Sequence, residues 1–286
     1  MDIGLIAIDV DGTLVPALDV PVSQRNREAI RKATERGISV CLLSGRVYPS
    51  MKSRAVECGA NGPLAACNGA YIRWKGKELC CRHIHRDALL RCATLIQDAG
   101  LFFHVWTRDG GYCVSQNYNA ERYARMNASI PNEFKISMQV FEDAAKLAET
   151  VGSGALKMTI LEQDTMKLAM LRPLLQKAAA PEAYVTSSES FNLEVIDKHV
   201  SKGWALETMA KACGVPMENT LAIGNSYNDI PMFLAAGISV AVADADEEVL
   251  HRVHHISGTC EKDGVAEAIE QYALPGGRSR SFQSPS

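Results

Sequence analysis

Four short apolar runs break off abruptly into polar groups, and they limit the fold more than any other feature. "LIAI" (5–8) runs into Asp9 and Asp11 of "DVDGT". "ISVCLL" (38–43) ends in "SGR", Ser44 to Arg46, and "PLAAC" (63–67) in "NGA", from Asn68. "TLAI" leads into "GNSYND", Gly224 to Asp229. None of these runs alternates apolar with polar residues. A strand without alternation is buried on both faces, as in a parallel sheet flanked by helices. The stretch between the first two, "VSQRNREAIRKATERG" (22–37), reads as a helix: Ser23 is placed to cap it, Ala29, Ile30 and Ala33 mark its apolar face, and Gly37 ends it. Strand and helix alternate again late in the chain, with helices at 201–214 and 228–237, a strand at 238–242, a weak strand at "HHIS" and a last helix at "GVAEAIEQYA". This order predicts an α/β core, a doubly wound parallel sheet.

The middle of the chain follows another pattern. A helix near 87–99 precedes "FFHVWT" and "GYCVSQ", joined through "RDGG", whose Asp-Gly and Gly-Gly pairs are hairpin signals. Strands near 134–140, 155–162 and 183–187 alternate with helices near 119–127, 143–150 and 165–179. Hairpins plus helices predict an inserted α+β domain over 84–190, with the core formed by 1–83 and 191–273. The tail from Leu274, "LPGGRSRSFQSPS", reads as disordered.

Composition excludes several classes. The formal charge is -3 and no long basic run occurs, so neither a general nucleic-acid role nor a membrane-surface role is expected. No signal peptide is read before the first strand, and no apolar run is long enough to span a bilayer. The nine cysteines show no CxxC pair and no zinc-site spacing, so they read as reduced thiols of a cytoplasmic protein, with Cys80 and Cys81 as packing residues.

The polar ends of the strands carry the chemistry. In an open α/β sheet the carboxyl ends of the strands line the ligand crevice, so segments far apart in sequence meet there. Asp9 and Asp11 crowd two negative charges together, which makes sense around a hard divalent cation such as Mg²⁺, for which one or two carboxylates commonly suffice. One carboxylate can then act as nucleophile while its neighbour moves protons. Gly12 allows a sharp turn. Thr13 and Ser44 bring hydroxyl donors. Lys202, in the first turn of a helix, adds a positive charge where unpaired N–H groups also favour an anion. Each motif alone reads as an ordinary turn, loop or cap; together, in one order and at one sheet edge, they point to phosphoryl transfer.

The ordered set DxDGT, SGR, NGA, a long insert, KG-x-AL and G-x-x-x-ND resembles the haloacid dehalogenase (HAD) superfamily of phosphohydrolases, in its Cof-type branch with a large inserted α/β cap. The resemblance runs from Leu5 to about Ala273. It implies a Rossmann-like core in which Asp9 is the nucleophile that becomes an aspartyl-phosphate, and Asp11 the general acid and then base. It further implies that Asp9 binds Mg²⁺ through its side chain and Asp11 through its main-chain carbonyl. Ser44 and the Gly45 N–H would hold the phosphate, Lys202 would neutralise it, and Asn228 would contact it. Arg46 would face the cap or the substrate, and Asp229 would support the metal shell or hold Lys202. Asn68 would lie near the site.

One position departs from the resemblance. The fourth motif usually begins with an aspartate that ligates the metal; here that place is Asn225. If one lost charge costs about 1–3 kcal/mol, Mg²⁺ affinity falls roughly 5- to 150-fold. The expected function is an Mg²⁺-dependent phosphatase of a small phosphorylated metabolite, foremost a sugar phosphate, acting as a monomer or weak homodimer. The alternatives are a sugar phosphomutase and a non-catalytic phospholigand sensor with a weakened metal site. In the cap, His104, Trp106 and Tyr112 are candidate substrate contacts, although alternating aromatic residues on a strand are more often packing. The other histidines lack metal spacing.

Overall fold

In a computed structural model, which describes residues 2–108, 110–114, 118–188 and 190–274, the chain forms two sheets. The first part of the core contains β1 (Leu5–Ile8), α1 (Gln24–Glu35), β2 (Ser39–Leu43), α2 (Tyr48–Cys58), β3 (Leu64–Ala66), β4 (Tyr71–Trp74) and β5 (Lys77–Cys81). The insert follows with α3 (Arg86–Asp98), β6 (Phe103–Trp106), β7 (Gly110–Val114), α4 (Tyr118–Ser129), β8 (Ser137–Phe141), α5 (Ala144–Val151), β9 (Lys157–Leu161), α6 (Thr165–Ala179), β10 (Ala183–Thr186) and β11 (Asn192–Asp197). The core resumes with α7 (Lys202–Cys213), β12 (Thr220–Gly224), α8 (Ile230–Ala235), β13 (Ile238–Val242), α9 (Glu247–Leu250), β14 (His255–Ser257) and α10 (Gly264–Tyr272).

The core sheet has the order β14-β13-β12-β1-β2-β3-β4-β5. From β14 to β3 all pairs are parallel, and β1 lies between β2 and β12. The chain winds from β1 to β2 and β3 on one side and returns to β12, β13 and β14 on the other. That reversal opens a crevice at the carboxyl end of β1. All four residues of β1 are buried, which accounts for the absence of polar alternation. Ser23 caps α1, its side chain accepting from the Asn26 N–H. The hairpin β4–β5 was not expected. It turns through Lys75 and Gly76, both with positive φ (48° and 78°). Such turns usually announce themselves as Asn-Gly or Asp-Gly, and a lysine there conceals the signal.

The second sheet has the order β10-β11-β9-β6-β7-β8, antiparallel except for β7 beside β8. The expected return to the core at residue 191 is too early: β11 pairs with β9 and β10, so the insert extends through Asp197. "NLEVID" buries alternate side chains in this sheet's own core, a pattern that does not say which sheet the strand joins. One face of the sheet buries Val105, Met158, Ile160 and Val195 under apolar residues of α3, α5 and α6. The other carries Trp106 beside Lys157, and His104 beside Thr159 beside Glu194. This second face roofs the crevice of the core.

Asp109 of the expected hairpin turn and residues 275–286 of the expected tail lie outside the described residues, while Leu274 packs against the core. All nine cysteines are free thiols. Among the described residues no helix is long and apolar enough to cross a membrane.

Candidate active site

Asp9 follows β1 directly, its N–H donating to the Ile223 carbonyl of β12 at 2.9 Å. Its side chain is buried at the floor of the crevice. Lys202 opens α7, which Ser201 caps by accepting from the Trp204 N–H. The Lys202 ammonium donates to Asp9 Oδ1 at 2.7 Å and also to Asp229 Oδ1. One positive charge thus serves two buried carboxylates. Burial pulls the Lys202 pKa down, but Asp229 and Asp9 outweigh it and raise it, so the lysine stays charged. Asp9 is pushed up to about 7: burial drives the rise, Lys202 opposes it, and Asp229 and Asp11 add to it.

Asp229 is fully buried, and its second oxygen accepts from the N–H groups of Asn225 and Ser226, each at 2.9 Å. Two tasks were expected of it, supporting the metal shell through water or holding Lys202, and the contact with Lys202 is present. Its role is to hold Lys202 and to close a capping box with Ser226. Asp11 meets Arg46 in a two-pronged ion pair, Nε to Oδ2 at 2.8 Å and Nη2 to Oδ1 at 2.5 Å. Arg46 also reaches Ser50. Three of its five N–H donors are engaged in this way, and Arg46 lines the cavity with Asp11. Thr13 was expected to offer its hydroxyl to the phosphate, and in the structure that hydroxyl has another partner. Its hydroxyl is fully buried and donates to Asn225 Oδ1 at 2.9 Å, tying the first loop to the fourth. Gly12 has φ +73°, and a Cβ there would come within 2.4 Å of Asn225 Nδ2, so no other residue fits this crossing.

Ser44, Gly45 and Asn228 line the same cavity as Asp9, Asp11, Arg46 and Lys202. The second and third loops are tied together: Ser44 O accepts from Asn68 N–H at 2.9 Å, and Arg46 O from Cys67 N–H at 2.8 Å. Asn68, with φ +59°, bends the third strand's end toward the site.

The donor set suits a hard cation. Asp9 is a buried carboxylate whose pKa is raised chiefly by burial, with Asp229 and Asp11 adding to the rise against Lys202. The Asn225 oxygen accepts from Thr13 and, as a carbonyl oxygen, has a second lone pair. With the Asp11 main-chain carbonyl this makes an all-oxygen set with a single carboxylate, compatible with Mg²⁺ but poor in charge. Among the described residues no cluster of three or more His, Cys, Asp or Glu could hold a metal.

The cavity of about 700 Å³ is closed above by the insert's sheet. His104 and Trp106 do line it, with their rings stacked 5.7 Å apart. Tyr112 instead pairs with Phe141 on the far face of the sheet. His85 caps α3, and His254 bonds Ser239. Two residues at the site have no motif in the sequence. Lys157 and Glu194 form a buried ion pair at 2.6 Å, and both face the core loops. Their signal was a lone charge inside an apolar run, "LKMTIL" and "FNLEVI". Thr159, between His104 and Glu194, leaves its buried hydroxyl without a partner, as Asn228 leaves its Oδ1. Both residues line the cavity.

Comparison with known proteins agrees with this fold. A sequence model of the family described as haloacid dehalogenase-like hydrolase matches residues 6–269. The 5-amino-6-(5-phospho-D-ribitylamino)uracil phosphatase YcsE of Bacillus subtilis is 28% identical over 277 residues, spanning 96% of this chain and 97% of its own. A phosphoglycolate phosphatase of Methanothermobacter thermautotrophicus is 26% identical, spanning 93% and 97%. Among solved structures, a haloacid dehalogenase-like hydrolase from B. subtilis superposes with TM-score 0.82 at 24% identity, over 94% of this chain and all of the other. One from Bacteroides thetaiotaomicron gives 0.79 at 24% identity, over 94% and 99%.

Proposed function

The chain belongs to the haloacid dehalogenase-like hydrolases, as a phosphoric monoester hydrolase of their Cof-type branch, and on that premise we propose that it is an Mg²⁺-dependent phosphatase of a small phosphorylated metabolite, working through an aspartyl-phosphate on Asp9. The observation that carries this reading is Asp9 itself: a buried carboxylate at the sheet's switch point, opening into the cavity and held by Lys202. An Asp9 oxygen attacks phosphorus, the ester P–O bond breaks, and the departing oxygen takes a proton from Asp11, which has left the Arg46 ion pair and taken up that proton from water as the substrate binds. Water then attacks the phosphorus of the acyl phosphate and gives a proton back to Asp11, which releases inorganic phosphate. Ser44, the Gly45 N–H and Lys202 supply the donors for the phosphoryl oxygens. Before the substrate binds, Arg46 holds the Asp11 carboxylate. Mg²⁺, held by Asp9, the Asp11 carbonyl and Asn225, would neutralise the charge on the phosphate.

The unpartnered Thr159 hydroxyl and the stacked His104–Trp106 pair favour a leaving group that bears hydroxyls, as in a sugar or polyol phosphate. The test is a panel of phosphomonoesters followed by acid-quench trapping of labelled phosphate on the protein. Label that is stable in acid, released by hydroxylamine and absent from Asp9→Asn supports the proposal. Turnover without labelled protein would point instead to direct attack by water.

A further inference from the structure

Every main-chain carbonyl of the Ser44–Arg46 loop is held, and the holders differ. Ser44 O and Arg46 O accept from Asn68 and Cys67 of the core. Gly45 O, between them, accepts from Lys157 Nζ of the insert at 2.7 Å. The peptide that carries Gly45 O also carries the Arg46 N–H, which donates to Ser44 Oγ at 3.2 Å. A peptide unit is planar, so a hold on its carbonyl fixes its N–H as well. Lys157 therefore sets, through one rigid plane, the donor that engages the Ser44 hydroxyl. With a lone pair occupied, that hydroxyl is left to direct its hydrogen elsewhere, into the cavity.

Glu194 extends the link. One oxygen accepts from Lys157 at 2.6 Å and the other from Asn68 Nδ2 at 2.7 Å. This contact orients the Asn68 amide, whose oxygen accepts from Asn228 Nδ2 at 3.2 Å. One buried ion pair on the cap thus reaches both phosphate-facing loops of the core. A Cβ on Gly45 would sit 3.2 Å from Lys157 Nζ and 3.3 Å from Asn68 Oδ1, so the approach is as close as a glycine permits.

We infer that Lys157, aligned by Glu194, is a positioning residue for phosphoryl transfer, orienting the Gly45–Arg46 peptide and hence Ser44 only while the cap is seated. A buried ion pair adds little stability over an apolar pair of the same shape, so stability alone does not explain its presence. The contacts made by Lys157 and Glu194 couple cap closure to the readiness of the site, so chemistry on the phosphate waits until the roof is in place.

This latch presupposes the phosphatase reading, and the two are tested separately: native turnover tests the reading, and the ratio of variant to native tests the latch. Lys157→Met alone leaves Glu194 buried without its partner and risks unfolding, so the variant of choice is Lys157→Met with Glu194→Gln. Steady-state kinetics are compared for acetyl phosphate, p-nitrophenyl phosphate and a hexose phosphate, beside a melting curve. The expected result is a loss in kcat of ~10- to 100-fold, the scale of a misplaced catalytic group, with the same factor for every leaving group and little change in KM. In a Ser44→Ala background the same double change is expected to cost several-fold less than in the native background, because the share that passes through the Ser44 hydroxyl is gone and only the share relayed by Asn68 to Asn228 remains. A loss that appears in KM and varies with the leaving group would overturn the inference in favour of direct substrate contact. A lowered melting temperature with kcat unchanged, or full additivity with Ser44→Ala, would overturn it in favour of a structural pair.

Discussion

The floor and the roof of the cavity are built by different means. On the floor, three functional groups directly follow an apolar strand and the backbone places them: Asp9 after β1, Ser44 after β2, Asn225 after β12. On the roof, Lys157, Thr159 and Glu194 lie within strands and acquire meaning only from cross-strand register and from docking onto the core. The floor groups sit in loops at one sheet edge, whereas the roof groups are spread over the face of a second sheet.

This contrast orders the consequences of substitution. The floor should fail outright. Asp9→Asn removes the nucleophile, and turnover is expected to fall by ~10⁴-fold or more with the fold intact, measured by kcat beside a melting curve. An Asp9→Asn protein with native kcat would place the chemistry elsewhere.

The metal position should respond in the other direction. Asn225→Asp restores a charge, and the Mg²⁺ concentration for half-maximal rate should drop roughly 5- to 150-fold. An unchanged Mg²⁺ requirement would mean that residue 225 does not face the ion.

Protons and metal should compete at Asp9. Its carboxyl is raised to about 7, so below that pH the protonated form dominates and must lose its proton to bind a cation. Apparent Mg²⁺ affinity is thus expected to rise with pH through this range, by up to about tenfold per unit below 7, and to level off above it. Calorimetric titration at three pH values reads it directly, and a flat profile would contradict the electrostatics of the site.

The smallest effect belongs to the roof. Thr159→Val removes a hydroxyl without changing shape, so KM for a hydroxyl-bearing phosphoester should rise several-fold while p-nitrophenyl phosphate is unaffected. Equal effects on both substrates would remove Thr159 from substrate selection.

The same contrast explains what the sequence disclosed. The parallel core was legible because strands buried on both faces cannot alternate, and the floor residues because each sits at an abrupt polar end. Asp229 was legible together with its hold on Lys202, whereas Thr13 and Arg46 were legible as members of the site but not in their partners. Which partner each takes depends on loops brought together from distant parts of the chain: Thr13 with Asn225, Asp11 with Arg46. The end of the insert was misplaced because β11 looks alike in either sheet. Lys157 and Glu194 were invisible because a lone charge in an apolar strand says only that it must find a partner, and theirs spans two strands and two sheets.

The central claim is that Asp9 performs metal-assisted phosphoryl transfer despite the missing acid at 225. It is tested most directly by hydrolysis of p-nitrophenyl phosphate and acetyl phosphate across an Mg²⁺ titration, with the native protein, Asp9→Asn and Asn225→Asp in parallel. The account predicts saturable Mg²⁺-dependent turnover in the native protein, none in Asp9→Asn, and saturation at lower Mg²⁺ in Asn225→Asp. Native turnover that is indifferent to Mg²⁺, or that survives Asp9→Asn, would contradict it.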